Sequence, residues 1–140
     1  MVVLDAGAVA GLILPLPFSE HAAATIRRLC EAREELLAPA LLEYEVCSVL
    51  GRAAARRILP ADRLEQALEL LHDLRIQSIT PAPSLHVRAL DWATKLGQAK
   101  AYDAQYLALA EEMNCPLLTA DLRLVRTAQS LGDDWVRGLE

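Results

Sequence analysis

The chain has 140 residues, 54% hydrophobic and 24% charged, which is ample for a packed core and too apolar for a disordered tail. Aromatics are only 4%, while 27 Leu and 24 Ala fill more than a third of the chain, a bias that favours helices and excludes a mostly-β sandwich. The net charge of −5 argues against coating nucleic acid by bulk positive charge, yet it suits an enzyme whose acidic residues hold cations.

Val2-Val3-Leu4 is a short apolar run ending at Asp5 and reads as a buried parallel strand. Residues 7–14 suit a short helix stopped by Pro15 and Pro17, and Ser19 with Glu20 opens a second helix over 19–32. Leu36-Leu37-Ala38 is the second strand, after which Pro39 fits a first helical turn and the helix continues to Arg57. Pro60-Ala61-Asp62 begins a helix to about Leu74, and the alternating RIQSIT of residues 75–80 is the third strand. Pro81 and Pro83 introduce a helix ending near Leu96, with Gly97 as its cap. A helix over 102–113 with Asn114 behind it, the strand PLLT at 116–119, and a helix over 121–131 closed by Gly132 follow. Trp135-Val136 suits a weak fifth strand. Strands alternating with helices predict an α/β fold, one domain over residues 1–140 with helices on both faces of a parallel sheet.

The apolar start is too short and too rich in proline for a membrane span, which needs about 20 residues. It also lacks the basic region of a secretion signal, so a soluble cytoplasmic protein without a membrane partner is expected. Cys30, Cys47 and Cys115 have no metal spacing and read as reduced, buried thiols, and His21, His72 and His86 read as incidental.

In an open α/β sheet, ligands bind at the carboxyl ends of the strands. Asp5 and Asp121 each stand just past such an end. Capping alone accounts for Asp121, whereas a carboxylate amid the apolar stretch that follows Asp5 is costly without a partner or a metal. In the helix after the second strand, Glu43 and Glu45 point to nearly opposite sides. Glu45 shares a stripe with Ser48, Arg52 and Arg56, which reads either as a solvated face, the commoner case, or as an acid near the site with two arginines suited to phosphate oxygens. Glu43 shares its side with Cys47 and Leu50. Periodicity alone does not choose between the two glutamates. Asp103 heads an inward stripe with Tyr106, Leu107 and Ala110, for which a helix cap is an equal reading. Asp62 and Asp91 follow no strand and are assigned to the surface. Together Asp5, Glu45, Asp103 and Asp121 form an all-carboxylate set, which selects hard cations such as Mg²⁺ or Mn²⁺ and suits phosphodiester hydrolysis.

The stretches VVLDAGAVAGLIL, LAPALLEYEVCSVLGR and AYDAQYLALAEEMNCPLLTAD resemble those of PIN-domain ribonucleases, in particular VapC-like toxins of toxin–antitoxin pairs. The resemblance implies sheet order 3-2-1-4-5, Mg²⁺ or Mn²⁺ as cofactor, and endonucleolytic cleavage of RNA leaving 5′-phosphate and 3′-hydroxyl ends. A homodimer and a cognate antitoxin as partners are implied as well. It matches Asp5, Glu45, Asp103 and Asp121 to the family's catalytic, metal-binding acids, and so favours Glu45 over Glu43. Thr119, Arg52 and Arg56 become candidates for contacting substrate. One departure is Gly7, where the family often carries a hydroxyl that helps orient metal or water.

Two other readings compete. A non-catalytic PIN-type domain would bind RNA or protein with the same fold. A receiver-like Mg²⁺-binding signalling module would need paired acids after the first strand, an acid after the middle strand and a late lysine. Only Asp5 follows the first strand, RIQSIT ends in Thr80-Pro81, and no lysine follows Lys100, so that reading is poor.

Overall fold

Val2, Val3 and Leu4 are all buried, as a strand covered on both faces requires. They form β1 (Val2–Leu4) at the centre of one parallel sheet in the computed structural model, which describes residues 1–139. The other strands are β2 (Leu36–Pro39), β3 (Gln77–Ile79), β4 (Leu117–Thr119) and β5 (Val136–Gly138), and the order is β3-β2-β1-β4-β5. Val3 pairs with Leu37 on one side and Leu117 on the other, so the buried centre of the sheet is aliphatic, as the composition predicts. Among the described residues seven helices flank the sheet: α1 (Ala6–Ile13), α2 (Ser19–Glu31), α3 (Leu42–Ala55), α4 (Leu64–Asp73), α5 (Pro83–Lys95), α6 (Tyr102–Glu112) and α7 (Leu122–Ser130). None of them is long and apolar enough to cross a membrane.

Helix ends follow the expected chemistry where glycine or asparagine is available. Gly97, Asn114 and Gly132 all have positive φ, at 64°, 48° and 93°, just past α5, α6 and α7. Arginines fill the same left-handed position at Arg33, Arg57 and Arg75, where no glycine is offered. That conformation takes Arg75 out of the third strand, which is shorter than its alternation suggests and starts at Gln77. Pro39 does not open a helix. It is the last residue of β2, paired with Ile79, where its missing N–H ends no continuing ladder, and α3 begins three residues later. α2 begins at Ser19 as expected, although the Ser19 hydroxyl folds back to donate to Leu14 O at 2.5 Å and accept from Leu16 N–H at 2.8 Å and does not cap the helix. Of the cysteines only Cys115 is buried; Cys30 and Cys47 lie exposed on α2 and α3.

From β1 the chain builds the sheet outward through β2 to β3, then crosses back to place β4 on the other side of β1 and continues outward to β5. The crevice beyond the carboxyl ends of β1 and β4 is therefore the topological switch point, where such sheets open to ligands.

Candidate active site

The chain leaves β1 at Asp5, whose N–H donates to Leu118 O of β4 at 3.1 Å. Asp5 then caps α1: Oδ1 accepts from Ala8 N–H at 2.6 Å, and Oδ2 accepts a short hydrogen bond from the Thr119 hydroxyl. The carboxylate is thus held by the first turn of α1 on one oxygen and by the end of β4 on the other. It faces a cavity of about 270 Å³ shared with Glu45, Ser48 and Arg52 of α3 and with Asp103 and Tyr106 of α6. Three acids from distant parts of the sequence meet there.

Each wall has a local cause. Val46, Leu50 and Ala53 bury one face of α3, which turns Glu45 and its stripe toward the cavity. Ala104, Leu107 and Ala108 are buried on α6, and Tyr106, also buried, donates its hydroxyl to Glu45 Oε2 at 2.5 Å. Arg52 reaches back one turn to donate to the Ser48 hydroxyl at 2.8 Å, which holds its guanidinium beside the acids. Asp103 does not cap α6. Its Oδ2 accepts from Gln98 Nε2 at 3.3 Å, and the other end of that amide, Oε1, is buried without a partner among the described residues.

Burial pushes the Asp5 carboxyl up to about 6, against the hydrogen bonds from Thr119, Ala8 and Ala120 that favour its charged form, and the Asp103 charge adds to the rise. Burial also raises Glu45 above the ordinary carboxylate range, opposed by the Tyr106 bond and reinforced by Asp103. Burial and the neighbouring Glu45 raise the Tyr106 phenol, so it stays protonated and remains a donor. The site is crowded with negative charge and calls for a cation.

Not every expected residue reaches it. Asp121 is exposed and caps α7, its Oδ1 accepting from Arg123 N–H at 2.8 Å and Leu124 N–H at 3.1 Å, and it is not among the residues lining the cavity. Thr119 is fully buried and cannot touch substrate; its hydroxyl accepts from Asp121 N–H at 2.9 Å and donates to Asp5. Arg56 lies on the same helical stripe as Glu45 but about 16 Å further along the axis, at the end of α3, and does not line the cavity. Glu43 faces a separate groove of about 570 Å³, with Cys47 and His72, between α3 and α4. At Gly7 an added Cβ would sit 3.1 Å from Ala120 Cβ and 3.4 Å from Asp5 Oδ1, so the place of the family's hydroxyl is tight here, and Thr119 supplies the hydroxyl on Asp5.

The donor set is carboxylate and hydroxyl oxygen, without His or Cys, which matches a hard cation. Among the described residues no three Asp, Glu, His or Cys side chains converge closely enough to enclose an ion unaided. Magnesium does not need such a cage, since it binds through one or two carboxylates and keeps several waters. The residues present fit it.

A family model described as PIN domain matches residues 2–130. The chain belongs to the PIN domain family. It is similar to a VapC ribonuclease of Mycobacterium bovis, 39% identical over 99 residues that cover 71% of this chain and 75% of the relative. Ribonuclease VapC9 of Mycobacterium tuberculosis matches to the same extent. Ribonuclease VapC3 of Pyrobaculum aerophilum is 34% identical over 133 residues, covering 92% of this chain and 95% of that one.

Two residues of this PIN domain's site escape sequence reasoning. Tyr106 reads as part of an apolar stripe, although a buried phenol normally finds a polar partner, and that is the signal that points to it. Gln98 lies between helices and carries no signal at all.

The raised Asp5 pKa has a thermodynamic consequence in the metal-free protein. The folded state keeps a proton on Asp5 that the unfolded chain releases near its ordinary 3.8, so this contribution to stability is complete below about 4 and lost as pH rises through about 6. The loss is expected to reach about 3 kcal/mol at most. Urea unfolding in EDTA at pH 4.5 and 7 checks it. Asp5→Asn should show a shallower pH dependence than wild type, and parallel curves would show that Asp5 is well solvated.

Proposed function

We propose that this PIN domain is a Mg²⁺- or Mn²⁺-dependent endoribonuclease that hydrolyses RNA phosphodiesters and acts as the toxin of a toxin–antitoxin pair in the cytoplasm. The observation that carries the reading is the meeting of Asp5, Glu45 and Asp103 on one cavity at the switch point of the sheet. Relatives named as VapC ribonucleases, matched over most of their length, support the choice of RNA.

Asp5 and Asp103 are the residues that would hold the cation, with Glu45 completing the pocket. When bound, the cation supplies Lewis-acid chemistry, making water nucleophilic near neutral pH and offsetting charge on the phosphate. Thr119 and Ala8 N–H hold the Asp5 carboxylate from opposite oxygens, so it needs little reorganisation on meeting its ligand. Glu45, aimed by the Tyr106 hydroxyl and with its pKa raised by burial, is placed to take a proton from the attacking water. Arg52, anchored to Ser48, is the cation that contacts the backbone phosphate. Asp121 contributes at one remove, by engaging Thr119. A homodimer and an inhibitory antitoxin belong to the same proposal.

Cleavage of single-stranded RNA should require Mg²⁺ or Mn²⁺, stop in EDTA and return with excess metal, as read on denaturing gels. Undiminished cleavage in EDTA would refute the metal-dependent reading.

A further inference from the structure

The chain has three Tyr, two Trp and one Phe, so each exposed aromatic is notable. Trp92 is buried and packs edge-on against Trp135 at 5.7 Å, Tyr106 is buried on Glu45, and Phe18 closes on Gly11. Only Tyr44 and Tyr102 are left largely in water, at 79% and 61% exposure. Both stand immediately before a site carboxylate, Tyr44 before Glu45 and Tyr102 before Asp103.

Their positions in the fold are matched. α3 follows β2 and α6 runs back toward the start of β4, so both helices begin at the carboxyl edge of the sheet, beside the cavity. Tyr44 lies in the first turn of α3 and Tyr102 is the first residue of α6. Residues four apart share a helix face, and four residues on from each tyrosine is a cavity-lining residue, Ser48 in one case and Tyr106 in the other. The Tyr106–Glu45 hydrogen bond of 2.5 Å holds the two helices together at this point. Each exposed tyrosine thus stands one helical turn before a cavity-lining residue, one on α3 and one on α6.

The charge balance gives these rings a purpose. An acidic chain of net charge −5, with acids at its site and Arg52 as the one cationic side chain lining the cavity among the described residues, has little bulk attraction for a polyanion. Stacking on an aromatic face needs no charge and works for any unpaired base.

Resting on the nuclease reading above, we propose that Tyr44 and Tyr102 are stacking platforms for unpaired bases on either side of the scissile phosphate. The substrate class is single-stranded RNA, and duplex RNA is excluded because its bases are already stacked on one another. The two tyrosines bind and position the strand and take no part in proton transfer.

The test uses a mixed-sequence single-stranded oligoribonucleotide containing 2-aminopurine, whose fluorescence falls on stacking. Tyr44→Leu and Tyr102→Leu keep the side chain's apolar bulk and remove its aromatic face, while Tyr44→Phe and Tyr102→Phe keep the face. Quenching is titrated in EDTA, where no cleavage occurs, and steady-state kinetics are measured in Mg²⁺. Each Leu variant should lose quenching and raise KM about fivefold to a hundredfold with kcat within about twofold, and the Phe variants should match wild type. Leu variants with wild-type quenching and KM, or with a change in kcat alone, would overturn the proposal. Quenching by wild-type protein that never cleaves would sink the nuclease reading while leaving the stacking platforms in place. Neither quenching nor cleavage would remove both.

Discussion

Glu45→Gln is expected to lower the rate of RNA cleavage by roughly a hundredfold to ten-thousandfold, whereas Glu43→Gln should leave it within about twofold. The two residues are neighbours on α3 and identical in chemistry, and they differ only in direction. Glu45 lines the cavity with Asp5 and Asp103 and accepts a hydrogen bond from Tyr106, while Glu43 is exposed to the groove between α3 and α4. The amide introduced by Glu45→Gln retains the size of the carboxylate and an oxygen for the Tyr106 hydroxyl, so the local packing survives and the missing element is the negative charge. Single-turnover cleavage with saturating Mg²⁺ measures the effect, and circular dichroism confirms that both variants fold. Equal losses in the two variants would mean that the cavity bounded by Asp5 is not where the reaction occurs.

Asp103→Asn should give a protein that melts about 2–4 °C higher than wild type in EDTA yet gains less from added Mg²⁺. Asp103 adds a smaller repulsion to the burial that raises both Asp5 and Glu45, so neutralising it eases two carboxylates at once. On the proposed function, the same change also removes a ligand charge. A cation that binds the folded state stabilises it by mass action, and at a hundredfold excess over Kd that is worth about 2.7 kcal/mol, so weaker binding appears directly as a smaller melting shift. A lost helix cap does not confuse the comparison, because Asp103 makes no capping bond on α6, and the amide oxygen of the Asp103→Asn variant can still accept from Gln98. Differential scanning fluorimetry across a Mg²⁺ series is sufficient. Identical shifts for the two proteins would take Asp103 out of the cation site.

Much of this was legible in the residues because it depends on local chemistry. The apolar runs at Val2–Leu4 and Leu117–Thr119, each leading to an acid, mark strand ends, and the helices between them follow from Ala and Leu with Gly97, Asn114 and Gly132 as stops. The opposite directions of Glu43 and Glu45 follow from 100° per residue, before any tertiary contact is known. The strand order came through resemblance, because no local rule orders strands.

Tertiary structure decided what each polar group does. Thr119 looks like a substrate contact until its burial between Asp5 and the Asp121 backbone makes it a brace. Asp121 suits a metal ligand by position, and the fold gives its Oδ1 to the N–H groups of Arg123 and Leu124 as the cap of α7 while its own N–H bonds Thr119. Arg56 lies on the correct stripe and too far along it. Periodicity specifies the angle of a side chain about its own helix axis. It carries no information on which other helix lies opposite, how far along the axis the cavity opens, or which donors reach an oxygen first. Those depend on how α1, α3 and α6 pack around the ends of β1 and β4, and that packing brings positions 5, 45 and 103 to one cavity and ties position 121 to Asp5 through Thr119.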